Sequence, residues 1–239
     1  MYEEYSKSPG QIDAQLGLNA YISKVFGRMF IALLVTAAAA FFTATNETMI
    51  RLIYGSPMMF VLVIAELVIV FSLSARVARL SYSSATALFY AYAVINGLTL
   101  ASVFILYDLG TVYTAFVTTS VAFGVMAIYG MVTKNDLTKI GSIFTMALIG
   151  VIVASVINMF VRSSQFDLLI SFIAVALFSG LVAFDTQKLK SFYYSSVGDY
   201  QMQRKIGILG ALSLYLDFIN IFLYILTQKF GEFHKGFSL

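Results

Sequence analysis

The sequence predicts an all-α, polytopic integral membrane protein with seven transmembrane helices. Hydrophobic residues make up 60% of the chain and charged residues only 11%, whereas soluble domains carry about 25% charged residues. The mean hydropathy is +0.88. The apolar residues are gathered in runs of the length that a helix needs to cross a bilayer, which is about 20 residues. A soluble globular fold is therefore not expected.

Seven apolar runs can be drawn between short polar connections. They cover residues 25–44, 57–75, 82–106, 111–132, 140–161, 167–187 and 206–228. We expect a polar N-terminal tail over residues 1–20, one transmembrane domain over residues 21–230 and a short C-terminal tail over residues 231–239. The longest connection runs from Lys188 to Lys205 and is too short for a second folded domain.

Neither of the two prolines of the chain is expected to bend a span. Pro57 is expected at the first position of the second helix, where the missing N–H costs nothing. Pro9 lies in the N-terminal tail. Any bend within a span must therefore come from glycine, or from Ser and Thr side chains that bond back to the helix.

Lys and Arg are unevenly distributed between the two ends of the predicted spans. On the side of the N-terminus lie Lys7, Lys24, Arg28, Arg76, Arg79, Lys134, Lys139, Lys188, Lys190, Arg204 and Lys205. Only Arg51, Arg162, Lys229 and Lys235 lie on the other side. The positive-inside rule then predicts a multi-pass protein of the cell (inner) membrane with its N-terminus in the cytoplasm and its C-terminus outside. A six-span arrangement with a re-entrant last segment is the alternative.

Four polar side chains lie inside the spans, at Glu66, Asn96, Asp185 and Asp217. An unpaired charged carboxylate at membrane depth costs roughly 3 kcal/mol or more, so these positions indicate function. Asp185 is expected near the cytoplasmic end of helix six. Asp217 is expected roughly 18 Å inward from Lys205 along helix seven. By this count the two aspartates need not be level.

Helical phase places further polar groups beside these residues. Ser213, Asp217 and Asn220 share one face of helix seven, as residues spaced by four and then three positions do. Asn96, with Thr99 and Ser102, forms a weaker stripe on helix three. A polar stripe on an apolar helix faces the interior of a bundle, so Glu66, Asn96, Ser213 and Asn220 are candidates for lining a pore.

If Asp185 and Asp217 meet, they form a pH sensor, because two adjacent carboxylates in a dry setting share a proton. When the proton leaves, mutual repulsion loosens the helix contact, and the freed oxygens suit calcium. A salt bridge from Arg76 to Asp185 would latch helices two and six. The alternative for each aspartate is structural, as a polar group that holds helices together.

Enzyme chemistry is not expected. No histidine lies in any span, which argues against an intramembrane serine protease. Two aspartates on neighbouring helices are also the device of intramembrane aspartyl proteases, but FDTQK and YLDFI do not reproduce their YD-type and GxGD-type motifs. A retinal protein would need a lysine in helix seven, and Ile206 to Thr227 contains none.

Three segments resemble the Bax-inhibitor family of seven-helix membrane proteins, most of all its bacterial branch. They are NGLTLASVF (Asn96 to Phe104), FDTQKLK (Phe184 to Lys190) and LGALSLYLDFINIF (Leu209 to Phe222). The resemblance implies six helices around a central seventh and, in members where transport is accepted, a pH-sensitive calcium leak. It also implies that Asp185 and Asp217 match the paired aspartates of the family, Arg76 its latch and Glu66 a lining acid.

The leading hypothesis is therefore a calcium-permeable leak channel or exchanger that is gated by protonation of the aspartate pair. Its partners would be the lipid bilayer, calcium and protons, with no cofactor. No basic arm suggests nucleic acid. The alternative is a non-transporting regulator that binds a membrane protease or another integral protein. A role in suppressing cell death is not expected, since the basic tail of eukaryotic relatives is replaced by GEFHKGFSL.

Overall fold

The structure is a computed structural model that describes the backbone of residues 9–236 and the side chains of residues 15–228. All regular structure in the described part of the chain is helical. The helices are α1 (Pro9–Ala44), α2 (Glu47–Tyr54), α3 (Met58–Arg76), α4 (Tyr82–Leu100), α5 (Ser102–Leu106), α6 (Leu109–Val132), α7 (Thr138–Val161), α8 (Ser164–Ser195) and α9 (Tyr200–Gly236).

The prediction of seven transmembrane helices is confirmed. Seven described stretches are long and apolar enough to cross a membrane: α1, α3, α4 together with α5, α6, α7, α8 and α9. The apolar stretch of α9, Tyr200–Gln228, belongs to one continuous helix. The alternative of a re-entrant last segment is therefore not what the structure contains.

Two predicted boundaries differ from the structure. The N-terminal tail is helical from Pro9 onward; residues 1–8 and 237–239, at the outer ends of the two predicted tails, lie outside the described residues. The sixth connection is also much shorter than predicted. No glycine or proline interrupts the sequence after residue 187 until Gly198, so α8 continues to Ser195. Gly198, with φ of 93°, then turns the chain into α9.

The third span is interrupted by a side chain from the connection between the first two spans. The Tyr54 hydroxyl accepts a hydrogen bond from the backbone N–H of Ser102 (2.8 Å) and donates to the carbonyl of Thr99 (2.9 Å). It therefore replaces part of the helical hydrogen-bond ladder where α4 gives way to α5. This interruption was not predicted, because bends were expected only at glycine or where Ser or Thr side chains bond back to the helix.

The spans differ greatly in burial. Within an 18-residue apolar window of α9, 61% of the residues are buried, against 6% for the corresponding window of α3 and 11% for that of α7. The last span α9 packs against α1, α4, α6 and α8, while α3 packs on α4 and α7 on α8. In a bilayer, the exposed faces of α3 and α7 are solvated by lipid, so their apolar surfaces need no protein partner.

Small residues bring some helix pairs to backbone contact. A Cβ atom added at Gly97 on α4 would lie 2.5 Å from the carbonyl oxygen of Thr36 on α1. A Cβ added at Gly130 on α6 would overlap the carbonyl oxygen of Ala183 and lie 2.9 Å from its Cα, on α8. Close approach at small residues is a common way for membrane helices to associate. Lipid tails are as apolar as the helix surfaces, so the hydrophobic effect does not drive helices together and close packing has to do so.

Candidate functional site

The predicted polar residues converge on one cavity of about 530 Å³ between α3, α4, α7, α8 and α9. Five of the predicted site residues line it: Glu66, Asp185, Ser213, Asp217 and Asn220. Its walls are otherwise mostly apolar and aromatic, with Tyr92, Phe178 and Phe184 among them. Carboxylates inside a membrane bundle are costly, so the gathering of three of them in one cavity needs an explanation.

Asp217 is the most deeply placed of these acids. Its side chain is only 5% exposed, and its Oδ2 atom is buried without a hydrogen-bond partner among the described residues. The polar face predicted for helix seven explains the position, since Ser213 and Asn220 line the same cavity one turn to either side. A buried carboxyl oxygen without a partner is costly, and native structures retain few such groups.

Asp185 faces the same cavity from α8 and is half-buried. Its polar neighbours in the cavity lining are Lys188, which is one turn further along α8, and Ser213 of α9. Asp217 lines the same cavity from α9, and the charge of Asp185 acts on it. The structure therefore brings the two predicted aspartates together at one cavity.

The position of Asp185 along its helix differs from the sequence-based expectation. With α8 extending to Ser195, Asp185 lies ten residues from the end of its helix, roughly 15 Å at 1.5 Å per residue. It is therefore not at the end of helix six, and it lines the same cavity as Asp217.

Glu66 enters the cavity from α3, which is otherwise one of the most lipid-exposed helices. Its Oε1 atom accepts a hydrogen bond from the Thr99 hydroxyl on α4 (2.7 Å), and that hydroxyl also lies 3.0 Å from the carbonyl oxygen of Asn96. The stripe predicted on helix three therefore supports Glu66 through Thr99. This hydrogen bond links α3 to α4 at membrane depth.

Asn96 is buried beside the cavity rather than in its lining. Its Oδ1 atom accepts a hydrogen bond from the Tyr215 hydroxyl of α9 (2.8 Å), which also lies 2.6 Å from the Thr36 hydroxyl of α1. Tyr215 is fully buried, with its ring edge-on to Phe89 and Tyr92. Three spans thus meet at the Tyr215 hydroxyl. This contact was not predicted, because the sequence of an apolar helix does not indicate which residue of another helix a tyrosine will bond.

Replacing Tyr215 with Phe is expected to destabilise the folded protein by about 1–2 kcal/mol, because it leaves the buried Asn96 and Thr36 groups with one partner fewer. The ring packing is retained. Reversible unfolding in detergent micelles would measure the change. Tyr113→Phe is the matched control, since the Tyr113 side chain is 70% exposed; equal stability of the two variants would contradict the role assigned to Tyr215.

Arg76 does not contact Asp185 in this structure. The side chain of Arg76 is exposed at the last residue of α3, and the ion pair found among the described residues is Arg51 with Glu47. The prediction of a latch assumed that both residues lie at the cytoplasmic ends of their helices, whereas Asp185 lies ten residues before the end of α8. The basic residue that lines the cavity is Lys188. A latch to Arg76 in another conformation stays a prediction.

The cavity lacks the ligands of a closed metal site among the residues that the structure describes. No group of three or more His, Cys, Asp or Glu side chains in the described part of the chain is arranged to hold a metal ion. Calcium takes six to eight oxygen ligands, several of them from carboxylates in tight sites. Asp185 and Asp217, the predicted calcium ligands, therefore do not form a closed chelating site.

Comparison with known proteins places the chain in a family. The family model described as "Inhibitor of apoptosis-promoting Bax1" matches residues 18–234. The chain is 39% identical to the Inner membrane protein YbhL of Escherichia coli (strain K12), over 96% of this chain and 99% of that protein. It is 40% identical to a protein of Deinococcus radiodurans, over 88% of this chain and 90% of the other. The chain therefore belongs to the Bax-inhibitor family of seven-helix membrane proteins and has relatives in bacteria.

Proposed function

We propose that this protein is a pH-sensitive, calcium-permeable leak channel or exchanger of the cell (inner) membrane. The observation that carries the proposal is the gathering of Glu66, Asp185 and Asp217 in one cavity within the bundle. Acidic side chains inside membrane spans are costly and commonly mark ion pathways. The Oδ2 atom of Asp217 supports the same proposal, since it is buried and no described residue forms a hydrogen bond with it.

The pH sensitivity would arise from the aspartate pair. Two carboxylates that interact in an apolar, poorly hydrated cavity do not readily carry two negative charges, so they hold a proton between them. Loss of that proton makes α8 and α9 repel each other at Asp185 and Asp217. Lys188 offsets one of these charges, and Glu66 adds to the negative potential from α3. The cavity would therefore open and attract cations as the pair ionises.

Calcium would pass as a weakly held, partly hydrated ion. Conduction needs sites that bind a cation well enough to admit it but weakly enough to release it. The carboxylates, with the Ser213 hydroxyl and the Asn220 amide in the same lining, offer a short series of oxygen atoms rather than one closed cage. The excess of Lys and Arg on the N-terminal side supports a cytoplasmic N-terminus.

Purified protein in liposomes that contain a calcium-sensitive dye would test the proposal. We expect calcium entry above that of protein-free liposomes, and a several-fold lower rate in Glu66→Gln. Glu47→Gln is the matched control, because Glu47 is an exposed acid on α2 and outside the cavity. Absence of calcium flux at every pH tested would overturn the proposal. If a stoichiometric membrane-protein partner then co-purified from native membranes, the non-transporting regulator would be favoured.

A further inference from the structure

A second cavity, of about 430 Å³, lies at the end of the bundle that carries the start of α1. It is formed where α1 meets the end of α8 and the start of α9. The residues that give it chemistry are Tyr21, Lys24, Arg28, Tyr193, Gln203 and Arg204. Three cations thus face one cavity, and the described residues that line it include no Asp or Glu. The positive potential of such a cavity favours the binding of an anion.

The two guanidinium groups are held in place by one tyrosine. Arg28 donates a hydrogen bond to the hydroxyl of Tyr82 (3.1 Å). The Arg204 guanidinium lies 3.6 Å from the centre of the Tyr82 ring. Tyr82 neutralises neither charge, and no ion pair involves either arginine in the part of the chain that the structure describes. Two oriented arginines with free donors match the geometry of a phosphate group.

Tyr21 contributes a buried donor to the same cavity. Its side chain is only 7% exposed, and its hydroxyl is buried without a hydrogen-bond partner among the described residues. The ring is fixed against Tyr193, with the two ring centres 5.7 Å apart. A buried hydroxyl without a partner costs stability unless a ligand or water accepts its hydrogen bond. A phosphate oxygen held by Arg28 would meet that need.

The depth of the cavity identifies the kind of anion. Lys24 precedes Ala44, the last residue of α1, by 20 residues, which is roughly 30 Å along a helix and equals the hydrocarbon thickness of a bilayer. Lys24 therefore lies at the level of the lipid headgroups when the other end of α1 is at the opposite interface. A headgroup phosphate reaches this level without leaving the membrane, whereas a soluble anion must come from the water.

We infer that this cavity, defined by Tyr21, Lys24, Arg28 and Arg204, binds the headgroup phosphate of an anionic phospholipid of the phosphatidylglycerol class. A zwitterionic headgroup fits less well, because its ammonium group would meet three cations and no described acid. Basic pockets between transmembrane helices are an established mode of anionic-lipid recognition. The bound phosphate would join α1 to α9, and it does not depend on the proposed calcium flux.

Binding can be measured on the purified full chain in detergent by native mass spectrometry and by the shift in melting temperature. The probes are short-chain phosphatidylglycerol, short-chain phosphatidylcholine and inorganic phosphate. We expect phosphatidylglycerol to bind and to raise the melting temperature, and the other two probes to have little effect. In Arg28→Gln with Arg204→Gln, phosphatidylglycerol should bind roughly 30-fold more weakly, as for removal of two cations that contact an anionic lipid.

Two further variants keep the test decisive. Tyr21→Phe removes only an unpartnered hydroxyl, so the lipid-free protein should keep its melting temperature while phosphatidylglycerol binds several-fold more weakly. Arg79→Gln with Lys134→Gln is the matched control, since both side chains are exposed and outside the cavity. Equal loss of binding in this control pair, or no loss in the Arg28 and Arg204 pair, would overturn the inference. So would inorganic phosphate binding as tightly as phosphatidylglycerol, which would indicate a soluble anion.

Discussion

Asp217→Asn is expected to abolish the pH dependence of calcium flux in proteoliposomes between about pH 5 and pH 8. Asparagine has nearly the same shape as aspartate but cannot release a proton, so Asp185 would no longer share one with its neighbour. The cavity keeps its volume and its remaining oxygens. We therefore expect the wild-type rate to change several-fold over this range and the variant rate to stay nearly constant. Dye-loaded liposomes at matched calcium gradients would measure both.

The sign of the wild-type dependence separates two mechanisms. If repulsion between the ionised aspartates opens the cavity, flux rises with pH, because the shared proton is lost as pH rises. We expect this direction, since Arg76 is exposed and forms no ion pair with Asp185 in the described chain. Flux that falls as pH rises, and that loses this dependence in Arg76→Gln, would contradict repulsion. That result would instead support a latch that acidic pH releases.

Asp136→Asn is the matched control for the aspartate variant. Asp136 lies in the connection between α6 and α7 and accepts a hydrogen bond from the backbone N–H of Thr138 (2.9 Å). The Thr138 side chain and backbone N–H hold the pKa of Asp136 below its ordinary value. Asp136 should therefore stay ionised over the tested range, and its replacement should leave the pH profile unchanged. A flattened profile in this control would point to a general effect of charge on the measurement.

Gly130→Val is expected to prevent stable assembly of the helix bundle. A side chain at this position would enter the backbone of α8 at Ala183, where even a Cβ atom has no space. Backbone atoms cannot swing aside as a flexible side chain can, so α6 and α8 must move apart. We expect a loss at the upper end of the range for overpacked sites, about 3 kcal/mol or more. Folded yield and melting temperature after size-exclusion chromatography would report it.

Gly124→Val provides a control on the same helix. Gly124 also lies in α6, but a Cβ added there meets nothing within 4 Å. Valine is a better helix former than glycine, so this variant should be as stable as the wild type or slightly more so. If both variants lose stability equally, the cause is valine in this helix rather than contact with α8, and the assignment of Gly130 to a close helix contact is wrong.

Much of the site could be predicted from the sequence. The polar face of α9 follows from helical phase alone, because Ser213, Asp217 and Asn220 must share a side of any regular helix. Four of the five predicted residues that line the cavity lie on two neighbouring helices, α8 and α9. Glu66 could be singled out because an acid within a strongly apolar run is rarely placed there without a role.

Other features had no signal in the sequence. The Tyr54 insertion into the third span, the meeting of Tyr215 with Asn96, and the basic cavity at Tyr21 each join residues from different helices. The end of helix six was predicted too early because it was placed at the end of the apolar run, whereas α8 continues to Ser195. Polar residues at headgroup level continue a helix as readily as apolar ones do, so hydropathy does not locate its last residue.

The sequence by itself determined the class of this protein, its seven spans and the three acidic residues within them, Glu66, Asp185 and Asp217. These features can be predicted because every segment that crosses the hydrocarbon interior must be long enough and apolar enough to do so. Each segment meets these requirements through its own residues, without help from the rest of the chain. Only the tertiary structure decided which polar residues meet. Glu66 and Thr99, Tyr54 and Ser102, and Tyr215 and Asn96 are pairs whose contacts depend on helix rotation, length and close approach at glycine. These are properties of the packed bundle.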